Sequence, residues 1–228
     1  MQPYFLPYIG YWQLINAVDT FVVYDNIEYT KKGWFNRNRI LEADHDRLFT
    51  VPLKKASDFL HVNQRFLSDD SDKEIARILR IIESNYKKAP HLTSAYPIIE
   101  SCFVFPNKNL FEYIFNSIKV ICNYLGLSTK LVISSEIKIN HSLKAEKKVL
   151  AICNAENTTT YINAIGGREL YDKKEFRSRG IDLKFIRPGN IEYRQFNYGF
   201  LPSLSIIDIM MFNSKEEIAK IIQNYTLE

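Results

Sequence analysis

The sequence predicts an α/β fold: three layers around a mostly parallel sheet, with a helical block inserted at about residues 70–126. Three observations predict it. A strand, loop, helix and second strand succeed one another between Gln2 and Asp25. Helical periodicity dominates Asp72 to Gly126, and strands alternate with helices after it. The 228 residues suit one such domain carrying a helical insertion.

Pro3 and Pro7 push their preceding residues towards extended backbone, so Gln2 to Tyr8 reads as the end of a strand running into a loop. Gly10 permits a turn, and Tyr11 to Ala17 has the spacing of a short helix. Phe21-Val-Val-Tyr24 is a buried strand ending at Asp25, which completes the start of a βαβ unit. Phe49 to Leu53 is a further strand. Ile75, Ile78, Leu79, Ile82 and Tyr86 share one helical face. Pro90 and Pro97 are expected to break up the stretch after that helix. Leu110 to Leu125 repeats the helical pattern, with Gly126 as its C-cap. This block is expected to form a lid or subdomain. Beyond it come strands at Leu131 to Ile133, Thr159 to Ile162 and Asp182 to Ile186. Helices are expected at Lys144 to Cys153, Leu204 to Phe212 and Lys215 to Asn224. The alternation is Rossmann-like, and such sheets bind ligands at the carboxyl ends of their strands.

Composition narrows the function. An apolar fraction of 46% supports a sizeable core, and no apolar run approaches the length of a membrane span. No charged leader with an apolar core precedes the first strand, so no secretory signal is expected. Cys102, Cys122 and Cys153 lack CxxC spacing and suit buried thiols in a reducing compartment, hence a cytoplasmic protein. His45, His61, His91 and His141 have no ligand spacing, so no metal site is expected. A formal charge of +4 is too small for a nucleic-acid footprint but suits an anionic small molecule. The 14 tyrosines and 15 phenylalanines include clusters near polar groups, notably from Tyr193 to Phe200, that could wall a pocket.

Four segments are candidates for chemistry. In Pro7-Tyr8-Ile9-Gly10-Tyr11, a helix N-terminus offers free N–H groups to an anion and Gly10 admits close approach; a proline-stiffened turn with core aromatics is the plainer reading. Its layout is similar to the helix entry of nucleotidylyltransferases, whose phosphate-binding histidines would here be tyrosines, a fold-level analogy. In Lys31-Lys32-Gly33-Trp34-Phe35-Asn36-Arg37-Asn38-Arg39, arginine forks can grip phosphate and Trp34 can stack on a base or sugar. A solvated basic turn is the alternative, less comfortable for Trp34. Asn163 with Gly166 and Gly167 either cradles a ligand or makes a tight connection. Tyr193 and Gln195 precede Ser205 and Asp208. Asp208 lies on an apolar helix and needs a partner, with Arg37 or Arg39 as candidates.

Gln2-Pro-Tyr-Phe-Leu-Pro-Tyr-Ile-Gly-Tyr-Trp12, Asp25, Lys32-Gly-Trp-Phe-Asn-Arg-Asn-Arg39, Tyr161-Ile-Asn-Ala-Ile-Gly-Gly167 and Phe200-Leu-Pro-Ser-Leu-Ser-Ile-Ile-Asp208 together resemble the WbqC-like protein family, in order along nearly the whole chain. The resemblance implies a role in bacterial O-antigen, lipopolysaccharide or related polysaccharide biosynthesis. Its working form is transfer of an acyl or aminoacyl group, with a carrier-protein thioester as donor, to the amine of a nucleotide-linked sugar. No cofactor, nucleic acid or membrane insertion is implied. The alternatives are a non-catalytic sugar- or nucleotide-binding partner of a pathway enzyme, and a nucleotidyltransferase-like enzyme. By physical role, Lys32, Arg37 and Arg39 would hold the diphosphate. Trp34 or Tyr11 would stack, Asp25 would act as general base, and Gln2, Tyr8, Gly10, Asn36, Asn38, Asn163, Gly166, Gly167, Tyr193 and Gln195 would complete the site.

Overall fold

Two prolines keep the first residues extended, and helix α1 (Ile9–Asn16) starts only after them. The computed structural model describes residues 1–196 and 199–228, so the 197–198 part of the aromatic segment Tyr193 to Phe200 lies outside the described residues. Strand β1 (Thr20–Val23) comes after α1 and pairs in parallel with β4 (Lys130–Ile133). Strands β2 (Arg37–Glu42) and β3 (His45–Thr50) form an antiparallel hairpin. Three helices succeed it: α2 (Ser71–Tyr86), α3 (Leu92–Phe103) and α4 (Leu110–Leu125). Gly126 ends α4 at φ 70°, where only glycine sits without strain, and Leu127 N–H closes the turn on Cys122 O at 2.9 Å.

After β4 come α5 (Ala145–Ala155), β5 (Thr160–Ala164), α6 (Lys173–Ser178) and β6 (Asp182–Pro188). The chain continues through α7 (Ile206–Phe212), α8 (Lys215–Gln223) and β7 (Tyr225–Leu227). β5 pairs in parallel with β6, and β7 adds antiparallel to the far edge of β6.

Side chains alternate between the faces of a strand, and β6 shows what each face meets. Leu183 and Phe185 join the core formed with Val149, Leu150 and Cys153 of α5 and Phe176 of α6. Ile186 belongs to the main core with α1 and α8, and Ile162 of β5 packs against it. Helices therefore cover both faces of this sheet. The helical block shares the main core with the N-terminal elements: Trp12, Phe5, Tyr86, Phe103 and Tyr113 are all fully or almost fully buried in it.

The α/β class, the helix and strand that open the chain (α1 and β1) and the helices of the 70–126 block agree with the sequence, whereas residues 1–8 form no strand. Three differences have physical causes. The described strands form three small sheets rather than one parallel sheet. Arg37 to Arg39, read as part of a polar turn, begin β2; the segment alternates half-buried and buried, and Asn38 and Ile40 point inward. Pro97 does not break α3. It costs the bond its N–H would have made to Thr93, but Ala95, Ile99, Cys102 and Phe103 bury one face, which outweighs it.

Candidate ligand-binding cleft

The segment Pro3 to Tyr8 is clamped from two sides. Asn38 Nδ2 donates to Phe5 O at 3.1 Å and Leu6 O at 2.8 Å. From the start of α7, Ser205 Oγ donates to Leu6 O at 2.6 Å and Ile206 N–H to Pro7 O at 3.0 Å. Ser205 N–H also donates to Arg39 O at 2.9 Å, so α7, β2 and the N-terminal loop are tied in one corner. Leu6 (φ 47°) and Ser203 (φ 59°) both take left-handed backbone there. Such strain persists only where surrounding contacts over-determine it, and it gathers at binding sites. Replacing Asn38 by alanine is expected to release the clamp at a cost of about 2 kcal/mol, read as a lower urea midpoint with unchanged slope.

Beside this corner lies a cavity of about 310 Å³ lined by Tyr4, Pro7, Tyr8, Trp34, Asn38, Arg39 and Ser203. Tyr8 and Trp34 remain 41% and 38% exposed and present aromatic surface to the cavity. The guanidinium carbons of Arg37 and Arg39 lie 5.6 and 5.7 Å from the Trp34 ring centre. Arg39 reaches Asp46 at 3.4 Å and Ser203 O at 3.3 Å, while its Nε is buried with no partner. A part-exposed guanidinium in the lining beside an aromatic wall suits an oxyanion. Arg37 is turned back on its own loop, donating to Gly33 O at 2.9 Å and to Lys32 O. Lys32 itself is exposed.

The other expected residues are placed differently. Tyr11 is a core residue, 3% exposed, and its hydroxyl donates to Gln2 O at 3.1 Å. Gln2 is exposed, its Oε1 accepts from Tyr4 at 2.6 Å, and it is not part of the cleft lining. A Cβ on Gly10 would meet the Tyr8 ring at 2.6 Å, so Gly10 makes room for Tyr8. Asn36 is buried between Tyr29 and Val51 O. Asn163 bonds its own strand end at Ala164 N–H, and a Cβ on Gly167 would meet the Asn163 amide at 2.9 Å; the close approach is internal. Nothing lies within 4 Å of a Cβ built on Gly166.

Tyr193 and Gln195 serve Asp208. The carboxylate accepts from Tyr86 at 2.8 Å, Tyr193 at 2.5 Å and Gln195 at 2.8 Å. Its partners are therefore neutral donors, not Arg37 or Arg39 as expected from sequence. Burial raises the Asp208 carboxyl above the ordinary range, with the three donors pulling the other way.

Asp25 is 3% exposed at the carboxyl end of β1. It accepts from Ser134 Oγ at 2.9 Å, Ser135 N–H at 3.0 Å and Asn63 Nδ2 at 2.8 Å. Burial pushes its carboxyl up, but Ser135, Ser134 and Asn63 together hold it below the usual range. Nearby, Lys148 is 8% exposed, donates to Asn26 Oδ1 at 2.9 Å and lies 5.2 Å from the Tyr24 ring centre. Burial lowers its ammonium, opposed by Asp25.

Tyr4, Pro7 and Ser203 line the cleft beside the expected Tyr8, Trp34, Asn38 and Arg39. No sequence signal marks Tyr4 as a wall residue, and nothing marks Ser203 before its left-handed backbone is seen. Among the described residues no cluster of histidine, cysteine or acidic side chains is arranged to hold a metal ion, and no helix is long and apolar enough to cross a membrane.

These features define an α/β protein with an aromatic, cationic cleft where its N-terminal loop meets a hairpin and α7. The WbqC-like protein family matches residues 2–220, and the chain belongs to that family. The uncharacterized protein Rv1507c of Mycobacterium tuberculosis (strain ATCC 25618 / H37Rv) is similar, 30% identical over 212 residues that cover 92% of this chain and 90% of that protein. No solved structure matches the chain.

Proposed function

We propose that the cleft binds a nucleotide-linked amino sugar and that the protein transfers an acyl or aminoacyl group to the sugar amine, in bacterial polysaccharide biosynthesis. The observation that carries the binding half is the part-exposed Arg39 guanidinium lining the cleft beside Tyr8 and Trp34. A phosphate oxygen pairs with the guanidinium, and a base or sugar ring stacks on the aromatics. In the transfer, the neutral amine attacks a thioester carbonyl. The new amide C–N bond forms, the C–S bond breaks, and the carrier leaves as its thiol with the amine proton. The three free, buried cysteines suit a reducing cytoplasm and leave the thiol chemistry to the carrier. Asp25, saturated by three donors, fits an anchor for Ser134 and Asn63 better than a free general base.

The cleft lining contains neither a thiol nor an imidazole, and that favours a second reading, a non-catalytic sugar-nucleotide-binding partner of a pathway enzyme. Incubation with UDP- or dTDP-amino sugars and an acyl thioester, followed by mass spectrometry, separates the two. An N-acyl product supports transfer; binding without product under any donor supports the partner role.

A further inference from the structure

We propose that Asp46 recognises the sugar's ammonium, so that Arg39 and Asp46 together read the two opposite charges of a nucleotide-linked amino sugar. The inference rests on the cleft being a sugar-nucleotide site and adds the residue that selects for an amine. Ladder partners in a hairpin share a face, and long side chains on that face also reach diagonally. Arg39 is opposite Leu48 and Leu41 is opposite Asp46, which sets Arg39 and Asp46 on one face and on a diagonal. Arg39 Nη1 donates to Asp46 Oδ2 at 3.4 Å, with the two side chains 34% and 38% exposed. Arg39 lines the cavity and lies 5.7 Å from the Trp34 ring centre, so the carboxylate stands at the rim of the cleft.

The neighbouring acids are engaged elsewhere. Glu42, His45 and Arg47 share the other face of the hairpin, where Glu42 pairs with Arg47 and lies 3.6 Å from His45. Asp44 contacts His45 at 3.1 Å. The cavity lining itself contains no acid. Among the described residues, Asp46 is therefore the acid that an ion pair ties to a residue of the lining.

Charge then decides which ligand this pair fits. At 3.4 Å the contact is longer than a strong charge-assisted hydrogen bond, and a part-exposed pair of this kind costs little to open. A phosphate that takes the guanidinium releases Asp46. A carboxylate left beside a bound anion is repelled unless a cation joins it. An ammonium on the same ligand supplies that cation and donates to the carboxylate. A hydroxyl in its place donates a hydrogen bond without the charge, which makes it the weaker partner. Asp46 thus disfavours a plain sugar nucleotide and favours one that carries an amine.

Calorimetry at about pH 6, where a sugar amine carries its proton, compares UDP- and dTDP-amino sugars with their hydroxyl counterparts. The parent is expected to bind the amino sugar of at least one pair about tenfold more tightly. Asp46→Asn, close in shape, is expected to bring that ratio below about threefold by weakening the amino sugar, with Tm unchanged. Asp44→Asn, on the same turn, is expected to keep the parent's ratio. A ratio that survives Asp46→Asn, or a parent that binds both members of every pair equally, overturns the assignment and leaves the sugar-nucleotide cleft standing. An equal fall in Asp44→Asn marks a general surface charge and overturns it too. A parent that binds neither member at millimolar ligand removes the cleft reading itself, and this inference with it.

Discussion

Asp208→Ala is expected to destabilise the protein by about 3 kcal/mol or more, the largest single effect among the residues discussed. Asp208 is fully buried, and its carboxylate is the acceptor for Tyr86, Tyr193 and Gln195. Removing it strands two hydroxyls and an amide in a site that water does not reach. The loss spreads, because Tyr86 also accepts from Leu41 N–H at 2.8 Å and Gln195 exchanges hydrogen bonds with Leu201. Asp208→Asn keeps one acceptor and should cost less. Urea denaturation distinguishes them, and the pH dependence adds a signature. Because the folded carboxyl is raised above 3.8, the native state holds its proton where the unfolded chain has lost it. Its contribution is full below that value and is lost as pH rises through the folded value. Asp25 behaves oppositely: held below 3.8, its contribution is present above that value and lost as pH falls through the folded one.

The second large effect concerns the cleft. Arg39→Ala is expected to weaken sugar-nucleotide binding by about 10- to 100-fold, with little change in stability. Its ion pair with Asp46 is part-exposed at 3.4 Å and contributes little to folding. Its guanidinium lines the cleft beside Trp34, so the expected loss falls on binding. Arg39→Lys should recover charge without recovering the planar fork, and so should restore binding only in part. Trp34→Ala should cost about tenfold through lost stacking. Binding measured alongside thermal denaturation separates these effects from misfolding.

Much of the fold is legible in the sequence where a local pattern decides the outcome. The period of Ile75 to Tyr86 and of Leu110 to Leu125, and the glycine after the latter, mark two helices within a residue of their C-terminal ends. Tyr8, Trp34, Asn38 and Arg39 are marked by an aromatic, amide and guanidinium density that neither a core nor a random surface carries. The rest is set by tertiary contact. The β2–β3 hairpin reads as polar because Asn38 hides its amide against Phe5 and Leu6 carbonyls more than thirty residues away. Asp208 needs a partner, and charge alone points to arginine; only the fold shows that two tyrosines and a glutamine meet it first. Tyr193 and Gln195 are drawn to the ligand for the same reason, being polar residues whose partners lie on another element.

We propose that Tyr8, Trp34 and Arg39 form the binding site for a phosphate-bearing sugar. Calorimetric titration of the purified protein with UDP- and dTDP-amino sugars tests it most directly. Saturable binding that Arg39→Ala weakens at least about tenfold, in a variant that melts like the parent, is the predicted result. No heat of binding at millimolar ligand, or binding indifferent to Arg39 and Trp34, would contradict it.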